Sequence, residues 1–418
     1  MRRRVRTVLS IVVIPLFLAT LVGLYVLHPG QASKIGSLPE VAEGMEQAKV
    51  EVVATPIDKC RLPNVEGESG EGGLLASARC AKVLEGKGKG LVVPVHVPPE
   101  YGQAVGVGTV IKVIYDPAQL SQGTPYLFWD IERGWPLVML GIVYVVLVGA
   151  VAGRRGLFAV VGLLASTVVL VGFIVPALMS GSSPLLVTLV GASAMLFVSV
   201  YMAHGVTIRT TTALLGTFIG LAITVGLALW GVRAATLSGA TSEDALTVFS
   251  YFPDLSLSAL LTCGIVIAGL GALNDVTITQ ASAVWELAAS NQTMGRWRLF
   301  SRAMRIGADH IASTVYTLAF AYAGTALPTL LLAMMVHRPV GSLLTAGDIA
   351  EEIVRTLVAS IGLILAIPIT SAVGTLLVTI VGVDEDGTSK LRRRLSRNKR
   401  MLGPGENIWE VDADAARG

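Results

Sequence analysis

The stretch Trp135-Pro-Leu-Val-Met-Leu-Gly-Ile-Val-Tyr-Val-Val-Leu-Val-Gly-Ala-Val-Ala-Gly153 decides the fold class of this chain. It carries no charged side chain over the length that a helix needs to cross a hydrocarbon core of about 30 Å. Backbone groups inside a bilayer must satisfy their own hydrogen bonds, and a helix does this within a single segment. We therefore expect a transmembrane helix over 135–153.

Seven further segments have the same character, and with the first they predict an all-α polytopic membrane bundle of about eight transmembrane helices. Of 418 residues, 53% are hydrophobic and only 15% are charged, against about 25% charged residues in soluble domains. The last two segments are long, and Pro328 and Pro368 are where a kink is expected. The seven segments are 8–27, 156–178, 184–203, 211–230, 256–280, 309–335 and 353–381.

The N-terminus resembles a secretory signal, because four arginines between Arg2 and Arg6 precede the apolar residues 8–27. That run is longer than the roughly 7–15 apolar residues of a cleaved signal. We expect an uncleaved membrane anchor, with residues 1–7 in the cytoplasm.

Lysine and arginine set the predicted orientation, since short cytoplasmic loops are enriched in them. With the N-terminus inside, every Lys and Arg outside residues 28–134 falls on the cytoplasmic side except Arg233, Arg338 and Arg355. The prediction is a cell-membrane protein with both termini cytoplasmic, a seven-helix membrane domain over 135–382 and a basic cytoplasmic tail over 383–418.

Residues 28–134 are polar and rich in glycine and proline, and we expect them to form a small β-rich extracytoplasmic domain inserted after the first helix. Valine-rich runs separated by glycine and proline suit a five-stranded barrel or sandwich. Gly86-Lys-Gly-Lys-Gly90 suits a hairpin turn between two of the runs. The predicted strands are Lys49–Ala54, Leu74–Leu84, Gly90–Val97 and Thr109–Tyr115.

Cys60 and Cys80 would share this oxidising side of the membrane, where a disulfide between them is one prediction. The alternative is two free thiols that pack as small hydrophobic groups. No CxxC pair occurs, so we expect no metal site.

Ionisable residues inside a membrane helix are costly, which makes them the first candidates for a functional site. In the sixth segment, four polar residues spaced i, i+4, i+7 and i+11 share one helical face, and Asn274 adjoins the first. They predict a lined pathway in which Asp275 binds a cation or carries a proton. The alternative is that the helix leaves the membrane near Asn274 and the face is solvated. The four residues are Asp275, Thr279, Ser282 and Glu286.

The seventh segment begins with Asp309 and His310, which we expect at the same cytoplasmic depth as Asp275. These groups could relay protons together, because histidine titrates near neutral pH. The alternative is that Asp309 only caps the first turn of its helix, where a carboxylate interacts favourably with the helix dipole. In the last segment, Glu352 and Arg355 are spaced to pair.

The remaining patterns exclude several classes of function. The chain has no Walker, Rossmann, nucleophile-elbow or HExxH motif, so we predict no enzyme activity and no cofactor. Its basic residues do not alternate with aromatic ones on a soluble face, so no nucleic-acid partner is expected. The expected partners are the lipid bilayer, a small solute or ion of unknown identity, and a second copy of the chain in a homo-oligomer.

Four stretches are similar to the YibE/F-like family of bacterial multipass membrane proteins, and the Gly- and Ala-rich composition resembles an actinobacterial member. The resemblance implies a plasma-membrane protein described as a predicted permease, without an established substrate or functional residues. The stretches are Asp130-Ile-Glu-Arg133, His204-Gly-Val-Thr-Ile-Arg-Thr210, Gly271-Ala-Leu-Asn-Asp-Val-Thr-Ile-Thr-Gln-Ala-Ser-Ala-Val-Trp-Glu-Leu287, and Asp309 to Gly324.

Two hypotheses follow for function. The first is a secondary permease of unknown solute, proton-coupled through Asp275, Glu286 and Asp309. The second is a non-transporting envelope scaffold whose extracytoplasmic domain binds a partner. In the first, replacement of Asp275 abolishes activity; in the second, loss of residues 28–134 matters more.

Overall fold

The computed structural model describes residues 2–30, 41–42, 44–56, 60, 78–122, 125–335 and 339–381. The predicted basic tail over 383–418 therefore lies outside the described residues. The chain divides into two compact units. One comprises residues 34–157, and the other joins the N-terminal residues 1–33 to 158–418. The division falls within the stretch 135–382 that the sequence suggested as one membrane domain.

A closed five-stranded barrel forms most of the first unit. Its strands are β1 (Glu46–Val52), β2 (Ala78–Glu85), β3 (Val92–His96), β4 (Val110–Tyr115) and β5 (Tyr126–Ile131). They neighbour one another in the order β1-β2-β3-β5-β4, and β1 closes the barrel by pairing with both β2 and β4. The β3–β5 pair alone is parallel. This Greek-key order is that of the OB-fold.

Alternation of buried and exposed residues explains why these runs form strands. Val50, Val83, Val93 and Ile111 point into the barrel and are at most 1% exposed. Two of the predicted strands coincide closely with β3 and β4, and a third, Lys49–Ala54, overlaps β1, which begins three residues earlier at Glu46. The fourth coincides with β2 from Ala78, since residues 74–77 lie outside the described part.

The glycine turn between β2 and β3 is confirmed. Gly86, Gly88 and Gly90 all have positive φ, which glycine adopts without the penalty that a Cβ imposes. The Gly90 amide donates to the Val83 carbonyl and closes the hairpin. The predicted disulfide is also confirmed, because Cys60 and Cys80 are bonded.

Only two residues separate the barrel from the long helix that follows it. Strand β5 ends at Ile131, and α2 (Gly134–Val169) begins at Gly134. The Glu132 carboxylate accepts the Gly134 amide over 3.1 Å. It also lies 3.6 Å from the Lys112 ammonium on β4 and 4.0 Å from Lys49 on β1. This short connection ties both strands to the start of α2.

Helix α2 is broken at Gly153, whose φ of 60° and ψ of −145° are not helical. Beyond Val169 one π-helical turn, Leu170–Ile174, leads into α3 (Val175–Met179). Pro176 has no amide hydrogen to continue the α-helical ladder, which accounts for a wider turn there.

The other helices are α1 (Arg2–Val26), α4 (Pro184–His204), α5 (Ile208–Ala234), α6 (Glu243–Tyr251), α7 (Leu257–Ser290), α8 (Arg296–Thr325), α9 (Leu327–Met335), α10 (Val340–Leu344) and α11 (Gly347–Val381). Among the described residues, six helices are long and apolar enough to cross a membrane. The bent pair α8–α9 brings the number to seven.

Helices α5, α7 and α11 form the centre of the second unit. Glycines let them approach closely, as small residues do between membrane helices. A Cβ at Gly216 of α5 would overlap the Thr370 hydroxyl of α11, and one at Gly362 of α11 would overlap the Thr224 hydroxyl of α5. Between α5 and α7, the hydroxyls of Thr217 and Thr277 lie 2.6 Å apart.

One of the two predicted proline kinks is visible as a bend between two helices. Helices α8 and α9 meet at an angle of 62° just before Pro328, so the first kink is confirmed. Helix α11 is continuous through Pro368, and a kink at that residue stays a prediction.

One of the alternatives suggested by the sequence is wrong. Asp309 does not cap a helix, because α8 begins at Arg296, thirteen residues earlier. The segment from Arg296 to Ala308 is helical but too charged to be recognised as part of a span. Helix α7 is continuous past Asn274 to Ser290, so the alternative that it leaves the membrane near Asn274 stays a prediction about the position of the bilayer.

Candidate functional site

A stripe of small and polar residues runs along the exposed face of α7. Asp275 and Glu286 are exposed, whereas Thr279 and Ser282 are half-buried between them. Towards the start of α7 the same face continues through Gly264, Ala268 and Gly271, which are also exposed. A Cβ placed at Gly264 or Gly271 would meet nothing within 4 Å. We refer to residues 264, 268, 271, 275, 279, 282 and 286 as the α7 stripe.

The opposite face of α7 is buried against its neighbours. Leu273, Val276, Thr277 and Gln280 are at most 3% exposed. Asn274 lies at the margin, and its side-chain Oδ1 is buried without a hydrogen-bond partner among the described residues. Among the described residues, the α7 stripe is thus the least covered side of this helix.

Helix α8 exposes polar residues as well. Asp309, Ser313 and Thr317 are exposed, and His310 is half-buried. The Ser313 hydroxyl lies within hydrogen-bonding distance of the carbonyls of Asp309 and His310. The hydroxyls on this helix therefore bond to their own backbone, whereas the carboxylate and imidazole remain available to a further group.

Gln280 sets the register of α7 against α8. Its side-chain amide donates to the Ala303 carbonyl of α8 over 2.9 Å and to the Ser371 hydroxyl of α11 over 2.7 Å. Asp275 precedes Gln280 by five residues, and Asp309 follows Ala303 by six. Since the two helices are joined by the short turn 291–295 and run antiparallel, the two carboxylates differ in height by only about 1.5 Å.

The remaining candidates are not all at this level. His310 adjoins Asp309, but Glu286 lies eleven residues beyond Asp275, which is roughly 16 Å along the helix. In the described part of the chain, no hydrogen bond or ion pair joins any two of Asp275, Glu286, Asp309 and His310. The same part holds no group of three His, Cys, Asp or Glu residues arranged to bind a metal.

Sequence reasoning missed the buried polar layer behind the stripe. Thr217, Thr277, Gln280, Thr370 and Ser371 are at most 1% exposed. Threonine and serine in apolar helices gave too weak a signal, because their hydroxyls usually bond to their own helix. The glycines opposite them, such as Gly216 and Gly307, were the available clue, since both pack against polar side chains of this layer.

In the barrel unit, two acidic residues before α2 have perturbed acidity. The Arg133 guanidinium donates to Asp130 over 2.7 Å, and with the Ile131 amide it lowers the pKa of that carboxyl. The amide of Gly134 is the main cause that lowers the pKa of Glu132, followed by Lys112. A cavity of about 400 Å³ at one end of the barrel is lined by Arg79, Gln103 and Val105, among others.

Comparison with known proteins gives one match. A family model described as YibE/F-like protein covers residues 140–380, more than half of the chain. It includes the whole of α7 and α8. No curated protein and no solved structure matches the chain.

Proposed function

The chain belongs to the YibE/F-like family, and from that premise we propose that it is a proton-coupled permease of the plasma membrane that moves a small solute past the α7 stripe. The observation that carries the proposal is the placement of Asp275. It is exposed on a membrane helix, level with Asp309, and flanked by Gly271 and Thr279 rather than by bulky side chains.

The energetic argument starts from the cost of a carboxylate in hydrocarbon, which is at least about 2.5–3.5 kcal/mol at a helix centre. Two carboxylates at one level on adjacent helices, both directed away from the core, would double that cost if lipid covered them. A polar solute, a proton or water beside the α7 stripe removes this energetic cost. In this scheme Asp275 and Asp309 bind the proton or a cationic group of the solute, and His310 exchanges protons with them.

Glu286 has a separate role in this scheme. Its distance of roughly 16 Å from Asp275 along α7 excludes a shared site, so we assign it to the cytoplasmic exit of the path.

The topology that we propose has eight spans. The two parts of α2 on either side of Gly153 cross separately, because a helix from Gly134 to Met179 has 46 residues and is about 69 Å long, twice the hydrocarbon thickness. The pair α8–α9 supplies another span. An even number keeps both termini in the cytoplasm, and the Cys60–Cys80 disulfide favours an extracytoplasmic barrel.

The test is proton flux in proteoliposomes that contain the purified chain and a trapped pH-sensitive dye. Pools of inorganic ions, amino acids, sugars and organic acids are added outside. A pool that holds the solute should acidify or alkalinise the lumen, and Asp275→Asn should reduce that flux to background while the protein stays inserted. Asp254→Asn, in the loop between α6 and α7, is the matched control. If no pool produces flux, the permease proposal is wrong.

A second candidate function is an envelope scaffold that binds a partner through the barrel. The observation in its favour is the closed OB-type barrel with its cavity beside Arg79, because this barrel architecture commonly binds oligomeric ligands. Removal of the barrel should then have the same effect on cells as loss of the whole protein, whereas Asp275→Asn should have no effect.

A further inference from the structure

A buried carboxylate lies near the end of the second unit that is remote from the α7–α8 turn. Glu351, in the second turn of α11, is only 7% exposed. Its Oε2 accepts the Thr241 hydroxyl over 2.9 Å. Its Oε1 is buried and bonds to no group in the described part of the chain. A carboxylate oxygen has two lone pairs to satisfy, so this atom is an unused acceptor.

Two adjacent charged residues share this property. Glu352 Oε2 and Arg355 Nε are also buried without a partner among the described residues. Glu352 Oε1 lies 3.7 Å from Arg355 Nη2, which confirms the predicted pair, and Tyr322 of α8 interacts electrostatically with both. Nine-tenths or more of buried polar groups are hydrogen-bonded in folded proteins. Three unused atoms within five residues therefore mark a site that needs a further group.

The charge balance indicates the sign of that group. Glu351 and Glu352 carry two negative charges against the single positive charge of Arg355. The neighbouring stretches 233–256 and 347–356 hold four more carboxylates and one more guanidinium. A buried carboxylate without full compensation is unstable in a low-dielectric medium. A cation beside Glu351 supplies the missing charge.

We propose that Glu351 and Thr241 bind a monovalent metal cation. The ligands are Glu351 Oε1 and the Thr241 hydroxyl, which donates its hydrogen to Oε2 and keeps its lone pairs free. The loop that carries Thr241 is positioned by Gly239, which has a φ of 72° and packs directly on the Leu257 carbonyl. Calcium is a poor fit, because it takes six to eight oxygen ligands with several carboxylates.

The site is separate from the α7 stripe, so the proposal stands whether or not the chain transports a solute. It is tested on the full chain in lipid nanodiscs by thermal unfolding in NaCl, KCl or choline chloride at equal ionic strength. Ligand binding to the folded state raises the unfolding midpoint with the logarithm of ligand concentration. We expect this rise with Na⁺ or K⁺ and not with choline.

Three variants make the test specific. Glu351→Gln should abolish the cation response, and Thr241→Val should shift it to about tenfold higher concentration. Glu243→Gln, an exposed carboxylate at the start of α6, should leave it unchanged. Equal midpoints in all three salts, or an unaltered response in Glu351→Gln, would overturn the proposal. An unfolding midpoint that changes with pH but not with the salt would also overturn it, because the missing group would then be a proton. If Glu351→Gln does not fold, an unchanged response in Thr241→Val overturns it.

Discussion

The side-chain amide of Gln280 donates to the backbone carbonyl of Ala303, and this one bond places Asp275 of α7 level with Asp309 of α8. The same amide reaches Ser371 of α11. Three helices are therefore aligned by one residue that is 1% exposed. The positions of Asp275 and Asp309 along their helices therefore depend on the Gln280–Ala303 hydrogen bond and not on an interaction between the two carboxylates.

Gln280→Leu should destabilise the membrane unit by about 1–2 kcal/mol, because the Ala303 carbonyl and the Ser371 hydroxyl lose a donor in a buried place. Thr279→Val is the control, since the Thr279 hydroxyl bonds only to the Asp275 carbonyl in its own helix. Unfolding in mixed detergent micelles measures both. Equal stability of the two variants would show that Gln280 does not hold the helices together.

Glycine-to-alanine substitutions should change the stability differently in the packed interior and on the α7 stripe. Gly216→Ala and Gly362→Ala place a Cβ against the Thr370 and Thr224 hydroxyls, and we expect a loss of about 1–3 kcal/mol each from overpacking. Gly271→Ala, on the α7 stripe with nothing within 4 Å, should be neutral or slightly stabilising in the monomer. A large loss at Gly271 would reveal that a second copy packs on the stripe.

The Cys60–Cys80 disulfide should stabilise the barrel by about 3 kcal/mol through the loop of 20 residues that it closes. Cys60→Ser together with Cys80→Ser should make the barrel sensitive to protease at lower temperature. Cys263→Ser, which replaces a buried free cysteine in α7, is the control for loss of a thiol.

After reduction of the disulfide, labelling of intact cells by a membrane-impermeant maleimide reports on which side of the membrane Cys60 and Cys80 lie. Protection of both cysteines in intact cells would contradict an extracytoplasmic barrel.

The Asp130–Arg133 pair should make the barrel unit sensitive to acid. The pKa of Asp130 is lowered chiefly by Arg133, so the folded state binds this proton more weakly than the unfolded chain. The stabilisation is complete above the ordinary carboxyl pKa and is lost as the pH falls through the lowered value. Arg133→Gln should raise the pKa of Asp130 towards its ordinary value in a ¹³C carboxyl titration. No change would show that the Ile131 amide alone is responsible.

Much of the architecture was predictable, since membrane helices follow from long apolar runs and strands from alternating valines. The break between 153 and 156 was anticipated because Arg154 and Arg155 interrupt the apolar sequence, although its cause in the backbone of Gly153 was not. The start of α8 was not predictable. The first part of α8 is too charged to be recognised as part of a span, although it is continuous with the apolar part. Its charged residues are Arg296, Arg298, Arg302 and Arg305.

The candidate site was predictable only in part. Spacing alone places Asp275, Thr279, Ser282 and Glu286 on one face of a helix, whichever neighbours the helix has. Which face is covered depends on tertiary contacts, and these are decided by glycines and hydroxyls such as Gly216 and Thr370. The burial of Glu351 was equally hidden, because it depends on a loop residue, Thr241, that is 110 positions away.

The two-residue connection between β5 and α2 has a mechanical consequence. A strand that is hydrogen-bonded on both sides cannot rotate independently of its barrel, and Glu132 joins the start of α2 to Lys112 on the neighbouring strand. A torque on the barrel is therefore passed to the start of α2 as rotation about the helix axis. Insertion of a flexible Gly-Ser spacer after Arg133 would remove that coupling while leaving both elements folded.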